Sequence, residues 1–435
     1  MSDIFTPDFR PQPYWWDETP PPAIDAEAAR APLPERVDVA VVGAGYTGLN
    51  AAIAAARAGA TTLVLDAEAA GFGCSTRNGG QISTSVKPDF ATLVRRHGRD
   101  RAAAILKEGE ASRDYVGRLV AEEGIDCGFS VCGRFHGAHT PGRFEAMRRE
   151  LESPHPVLDT GAYTVGRADQ HAEIGTDAYY GGAVYPRVAS VDPGRYHAGL
   201  LGAAERVGAR IVSHCPVGGL ERAAGGFRLT TARGTLFAQK VVLATNGYSG
   251  PLSPWHRRRV IPIGSYVIAT EELPQAVMDE VLPTDRMLCD TRRVVYYYRP
   301  SPDRRRILFG GRVSLSETDP KKSAVRLHDE LIRLFPRLTG TRVSHSWVGY
   351  VAYTFDEMMH IGNDEGLHYA MGYCGSGVGM ASYLGMRMGQ QAAGLSQGAT
   401  AFDGLAFPTR PFYTGNPWFL APSVLAYRLL DRMGI

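Results

Sequence analysis

Lysine is scarce in this chain. Only Lys87, Lys107, Lys240, Lys321 and Lys322 occur, within 47 lysines and arginines in total. None lies in a glycine motif or beside the glycine-rich segments described below, which argues against Schiff-base chemistry. Cysteine is sparse too. Cys74, Cys127, Cys132, Cys215, Cys289 and Cys374 form no CxxC pair and no metal-ligand spacing. Neither a disulfide framework nor a metal site is expected, and a reduced, cytoplasmic setting fits. The opening residues, MSDIFTPDFRPQPYWWDETPPP, place acids and prolines where a signal peptide needs an apolar run. No run of about 18 apolar residues is present, so no membrane span is expected. The net charge is only +2, and the arginine runs at 257–259 and 304–306 are short and separate. A nucleic-acid partner is therefore not expected. His136, His345 and His360 are isolated, which suits core or surface histidines better than a catalytic base.

Glycine, by contrast, is placed with purpose. Residues 37–42, VDVAVV, are valine-rich, as expected of a strand buried on both faces. Gly43-Ala44-Gly45-Tyr46-Thr47-Gly48 follows as GxGxxG. Gly43 permits the tight turn, Gly45 lets backbone approach a pyrophosphate, and Gly48 lets the helix pack on the sheet. Residues 49–59 are an alanine-rich helix whose N-terminus offers N–H groups to phosphate oxygens. Residues 61–65 form a second strand that delivers Asp66, 18 residues after Gly48, where a carboxylate reaches a ribose hydroxyl. Ala67 follows it.

The next segment, GFGCSTRNGGQ at 71–81, selects the dinucleotide. An NAD enzyme has no need of a glycine-rich, side-chain-poor stretch right after its second strand. A flavin enzyme does, because FAD lies extended and must pass close to backbone. Ser75, Thr76, Arg77, Asn78, Gly79, Gly80 and Gln81 are the candidate contacts. With these pieces, VVLATNGY at 241–248, YYYRPSPDRRRILFGGR at 296–312 and MGYCGSGVGMASYLG at 371–385, the chain resembles the glycine/D-amino-acid oxidase (DAO) family of FAD-dependent amine oxidoreductases. Within that family it is most similar to the γ-glutamylputrescine-oxidoreductase-like branch. The resemblance runs over nearly the whole chain in the family's order.

The remaining pattern suggests two interleaved domains. Helices are expected at 100–123, 144–151, 196–207, 323–335 and 378–391. A strand is expected at 210–213, a hairpin at 227–238, a buried strand at 241–244 and another at 367–371. Strands dominate 260–351, at 261–271, 294–299 and 306–313. The resemblance implies a mixed α/β fold in which a Rossmann-like FAD domain (37–88, 190–248 and 355–398) is interleaved with an antiparallel-sheet substrate domain (89–189 and 249–354), of the DAO or glutathione-reductase-2 type. Residues 1–36 form an arm that Tyr14, Trp15 and Trp16 anchor by simple groove packing. Residues 399–435 form a tail, and its apolar stretch at 418–430 is expected to pack on the protein rather than on a bilayer.

Three further segments carry chemistry. Gly375-Ser376-Gly377-Val378-Gly379 lies between strand and helix. A second nucleotide site fails because no acid ends a following strand, so this helix N-terminus is expected to face the flavin ring and stabilise its reduced, anionic edge. Thr245, Asn246 and Gly247 end a buried strand at a carboxyl edge, where ligands bind in open α/β sheets. Val217 is expected to meet adenine through its backbone. Period-two alternation puts Tyr297 and Arg299 on one face, with Tyr296 and Tyr298 on the other.

The resemblance implies that Tyr297 and Arg312 face the substrate. Arg77 matches an arginine that sarcosine-type oxidases use for a carboxylate, although in its RNGGQ context it serves the flavin equally well. Three departures stand out. Leu308 replaces the lysine that activates oxygen, Gly379 replaces a carboxylate-binding lysine, and Val351 replaces a flavin-tethering cysteine. A non-covalent flavin and a poor reaction with oxygen are therefore expected. The implied activity is oxidation of the C–N bond of an amine or amino acid by hydride transfer to flavin N5, with oxygen or another electron acceptor. Two rivals are a membrane-associated flavin dehydrogenase that reduces a quinone and a non-catalytic flavoprotein subunit.

Overall fold

The computed structural model describes residues 4–23, 31–312 and 317–434. Two large sheets organise it. The first is built on a parallel centre. Strand Arg36–Val42 pairs with Thr62–Leu65 on one side and with Gly234–Leu243 on the other. Arg210–Val212 and Leu367–Met371 extend it in parallel, and hairpins Val217–Ala223/Gly226–Thr231 and His360–Asp364/Leu367–Met371 flank it. Register aligns Val42 with Leu65 and with Leu243, and Leu243 with Tyr369. The turns after these strands, at Gly43, Asp66, Ala244 and Gly372, therefore share one carboxyl edge.

Helices cover this sheet. Tyr46–Arg57, Arg99–Glu123, Pro193–Arg206 and Gly377–Ala392 bury alanine, leucine and tyrosine into one core. Glycines allow Tyr46–Arg57 and Gly377–Ala392 to approach backbone to backbone: a methyl group at Gly385 would strike the Thr47 carbonyl, and one at Gly389 the Ala51 carbonyl. Side chains there would separate the helices and open cavities.

The second sheet has nine strands, and six of its eight pairings are antiparallel. Its pleat separates two faces. Phe135, Leu288, Tyr298, Phe309 and Ile268 face a core covered by helix Pro320–Leu334. His136, Cys289, Tyr297, Gly310, Val267 and Trp347 run across the other face in direct register. Alternation along Tyr296–Pro300 is as expected. Tyr296 and Tyr298 join the core, while Tyr297 packs with Trp15, Val267, Ala269, Leu308 and Trp347.

Most elements stand where sequence patterning puts them, with ends moved by a few residues. Three differ. The second arm of the expected hairpin and the buried strand after it are one ten-residue strand, Gly234–Leu243. Two short strands, Gly182–Tyr185 and Ala189–Ser190, stand where no element is expected above. The arm is more than groove packing, because Phe5–Arg10 adds a parallel strand to the second sheet beside Val343–Tyr353.

Candidate functional site

The first glycine turn folds tightly on itself. Gly43 has φ +108, and a methyl group at Gly48 would run into the Gly43 carbonyl oxygen. At Gly45 it would sit 2.7 Å from Ser75 Oγ, which accepts a hydrogen bond from Tyr46 N–H at 2.9 Å. The helix carries no side-chain cap at Gly45. Asp66 closes the turn from beside it: one carboxylate oxygen accepts from Ala44 N–H at 2.7 Å, the other from Glu68 N–H at 3.0 Å. Both oxygens keep further lone pairs for a ribose hydroxyl. Burial pushes the Asp66 pKa up, and the two N–H bonds oppose that. Ala67 is exposed beside it.

The Tyr46 and Thr47 side chains serve the core. Tyr46 packs on Tyr196 and donates to Pro193 O, and Thr47 bonds the Tyr373 hydroxyl at 2.7 Å. Only their backbone faces the turn. His197, which no sequence signal marked, bonds the Ala44 carbonyl through Nε2 at 2.8 Å. Burial lowers its pKa and so favours the neutral ring.

The RNGGQ segment is held by its own side chains and by the arm. Asn78 donates to Cys74 O and Ser75 O and accepts from Gly80 N–H, while Thr76 donates to Gly71 O. Trp15 donates to Asn78 O at 3.0 Å, Trp16 to Thr76 Oγ1 at 2.8 Å, and Trp347 to Arg77 O at 2.8 Å. Arg77 donates to Phe72 O and Val348 O, with its guanidinium over the Trp16 and Phe72 rings. Gln81 reaches Leu288 O at 3.5 Å. Gly80 has φ +72, and a side chain there would meet Val191 O.

Tyr297 brings the second sheet onto this segment. Its ring would lie 3.3 Å from a methyl group at Gly79, and its hydroxyl bonds Ser265 Oγ at 2.8 Å. Burial pushes its pKa up to about 12. Arg312 donates to Gly264 O and to Glu317, both at 2.9 Å. Leu308 is enclosed by apolar neighbours, and Val351 is half-buried in its strand.

At the sheet edge, Asn246 takes φ +43 and accepts from Gly372 N–H at 2.9 Å, which ties the two strand ends together. Thr245 bonds Ser249 Oγ at 2.7 Å, and Gly247 abuts Tyr350. Val217 is half-buried and pairs with Thr231 at the start of its strand. Helix Gly377–Ala392 begins without a side-chain cap, because the Ser376 hydroxyl turns to Ser85 O at 2.7 Å. Val378 is buried, and Gly379 lies against Ser112 and Ile82. Gly375 has open space, its nearest neighbour being the Tyr353 hydroxyl, 3.9 Å from where a methyl would stand.

Neither helix is capped by its own N-cap residue, and although Ser75 takes Tyr46 N–H, both ends stand at one carboxyl edge with further N–H groups left for a ligand. A glycine turn with no room for a side chain, an acid beside it and a glycine-rich strip leading to Tyr297 fit an extended dinucleotide. One sequence reading needs correction. Lys87 does lie beside these segments: its ammonium is 5.8 Å from the Tyr353 ring centroid, because the chain after Gln81 turns back along the helix start. Among the described residues no group of metal-binding side chains occurs, and no helix is long and apolar enough to cross a membrane.

Comparison with known proteins agrees. The family described as "DAO: FAD dependent oxidoreductase" matches residues 38–391. The chain is 30% identical to a probable oxidoreductase OrdL of Rhizobium meliloti (strain 1021), over 92% of this chain and 94% of that one. It is 29% identical to the gamma-glutamylputrescine oxidoreductase of Escherichia coli (strain K12), over 92% and 93%. The solved glycine oxidase of Geobacillus kaustophilus superposes with TM-score 0.69 at 19% identity, over 87% of this chain and 99% of that one. The L-proline dehydrogenase of P. horikoshii superposes with TM-score 0.69 at 17% identity, over 90% and 99%. The chain belongs to the DAO family of FAD-dependent oxidoreductases, is an enzyme, and has FAD as its cofactor.

Proposed function

We propose that this enzyme oxidises the C–N bond of an amine or amino acid that reacts as its free base, with γ-glutamylated amines among the substrates. When bound, FAD supplies the acceptor for the hydride and its electron pair. The chain supplies the rest. Gly43, Gly45, Gly48 and the two uncapped helix ends would hold the dinucleotide, with Asp66 at its ribose. Tyr297 and Trp347 would exclude water and fix the orientation of the reacting carbon.

One observation carries this reading: Tyr297 and its neighbours His136, Cys289 and Tyr353 on the inner sheet face do not change charge near neutrality. Tyr297 is pushed up to about 12 by burial. His136 is held at about 4 by burial and by Arg134 beside it. Burial also raises Cys289 and Tyr353. With no base poised there, the nitrogen lone pair must come from the substrate's own deprotonation. Alkyl amines have pKa values near that of lysine, about 10.4. The anaerobic rate of flavin reduction should therefore rise with pH as the amine loses its proton, then level off. The midpoint should move when an amine of lower pKa is used. Reduction by a hydroxy acid but by no amine would show the C–N reading to be wrong.

The same burial supports a non-covalent flavin. Cys74 and Cys374 are both pushed up to about 11, which leaves little thiolate to attack a flavin. Acid precipitation should release all yellow colour to the supernatant; a yellow pellet would refute the reading.

A second reading has one observation in its favour. On helix Leu420–Met433, Leu425, Leu429 and Met433 are exposed in helical register with Trp418 before it. Such a stripe suits a bilayer surface and a membrane electron acceptor. Flotation with lipid vesicles separates the two readings, since a protein that stays at the bottom of the gradient lacks this contact.

A further inference from the structure

Along the RNGG strip the backbone carbonyls are all engaged. Trp347 Nε1–H donates to Arg77 O at 2.8 Å and Trp15 Nε1–H to Asn78 O at 3.0 Å. Arg299 reaches Gly79 O at 3.5 Å, and Val191 N–H donates to Gly80 O at 2.9 Å. Four successive acceptors are thus taken by groups from distant segments. The donors differ. Arg77 N–H bonds Cys74 O and Gly80 N–H bonds Asn78 Oδ1, but Asn78 N–H and Gly79 N–H meet no acceptor among the described residues. Backbone N–H groups rarely go unpaired once water is excluded, so these two point to a ligand that brings acceptor atoms.

The two indoles decide which way those donors face. A peptide unit is planar and trans, so its N–H points opposite to its C=O. The Arg77 carbonyl shares one such plane with Asn78 N–H, and the Asn78 carbonyl shares the next with Gly79 N–H. Trp15 and Trp347 are buried in one cluster with Val267, Ala269 and Leu308. Both N–H groups are therefore turned away from that filled cluster, which leaves the opposite side of the strip for the cofactor. Gly79 lies against the Tyr297 ring, so the donors stand at the end of the strip that meets the second sheet. Both indoles come from one edge of that sheet. Trp347 is on strand Val343–Tyr353, and the arm strand Phe5–Arg10 pairs with it before leading into Trp15.

We propose that Trp15 and Trp347 are positioning residues: by holding two successive carbonyls they aim the Asn78 and Gly79 N–H groups at the flavin ring, where these stabilise the negative charge gained on reduction. Donors fixed in advance cost no reorganisation when the charge appears. The N-terminal arm is thereby part of the redox site, because it carries one of the two indoles. The inference rests on the part of the reading above that lays FAD along this strip, and not on the identity of the substrate.

The test measures the reduction potential of the bound flavin, by anaerobic equilibration with redox dyes, in the wild-type holoenzyme and in Trp15→Phe and Trp347→Phe. Phenylalanine keeps most of the buried ring and removes the donor. Each variant should favour oxidised over reduced flavin about tenfold more than wild type does, a fall of about 30 mV for a two-electron couple. A third protein carries 3-benzothienylalanine at residue 15, whose sulfur replaces the N–H in a ring of the same shape. It should show the lowered potential with the wild-type melting temperature, and it decides the matter if a phenylalanine variant does not fold. A wild-type potential in the folded, flavin-loaded variants would overturn the proposal and leave both tryptophans as braces. A lowered potential with phenylalanine but not with the benzothienyl ring would overturn it too, because packing would then be the cause. Since dyes stand in for the substrate, a lowered potential in an enzyme that no amine reduces would sink the C–N reading and leave this inference standing.

Discussion

The molecule contains two strand–glycine–helix turns at one sheet edge, Gly43–Gly48 and Gly375–Gly379, and they are built for different work. In the first, Gly48 is pressed against its own turn and Asp66 grips Ala44 N–H. In the second no acid is present, Gly375 faces open space, and Gly379 is tight only against Ser112 and Ile82. Both helices begin uncapped. The same local pattern thus yields a turn fixed by its own backbone and a turn fixed by neighbouring segments. The first suits close approach of a pyrophosphate, the second a helix dipole aimed at a ring.

The largest expected effect tests the first turn. Gly48→Val would drive a side chain into the Gly43 carbonyl and the Val41 side chain, which cannot yield without moving the strand. The cost should exceed about 3 kcal/mol, and the protein should purify without flavin or not fold. Gly45→Val is milder in packing, because its first obstacle is the Ser75 hydroxyl, but it fills the path to the helix N–H groups. It should fold and purify nearly colourless. Full flavin occupancy in Gly45→Val, read from the ratio of absorbance at the flavin band to that of protein, would remove the pyrophosphate from this turn.

That contrast also explains what could be read from sequence. The Gly43–Asp66 unit is local: strand, turn, helix and acid lie within one short stretch, so spacing alone places them. The period-two split of Tyr296, Tyr297 and Tyr298 was legible for the same reason. What sequence hides is contact across long separations. Trp15 on the arm holds Asn78, His197 holds Ala44, and Ser265 holds Tyr297. None sits in a motif. Lys87 follows the glycine-rich segment by six residues in sequence, and a chain path tied by the Ser376–Ser85 bond brings it to Tyr353. Tyr46 and Thr47 mislead in the other direction: they stand inside the motif, yet their side chains are core.

The smallest expected effect sharpens the second turn. Gly375 has φ +98, in the left-handed region where an L side chain is strained. Gly375→Ala therefore carries a backbone cost of about 1–2 kcal/mol. It meets no clash, since the nearest atom, the Tyr353 hydroxyl, is 3.9 Å from the new methyl. The melting temperature should fall by a few degrees and flavin should stay bound. Any larger change should appear in the chemistry, because the methyl points toward the Tyr353 side of the site. The check is a pair of measurements on one preparation, flavin occupancy and the anaerobic reduction rate with the best amine. Full occupancy with a slowed rate places the second turn at the reacting end of the cofactor, as the dipole argument requires. Loss of flavin equal to that in Gly45→Val would mean that both turns grip the dinucleotide alike, and the difference between them would lie only in how each is braced.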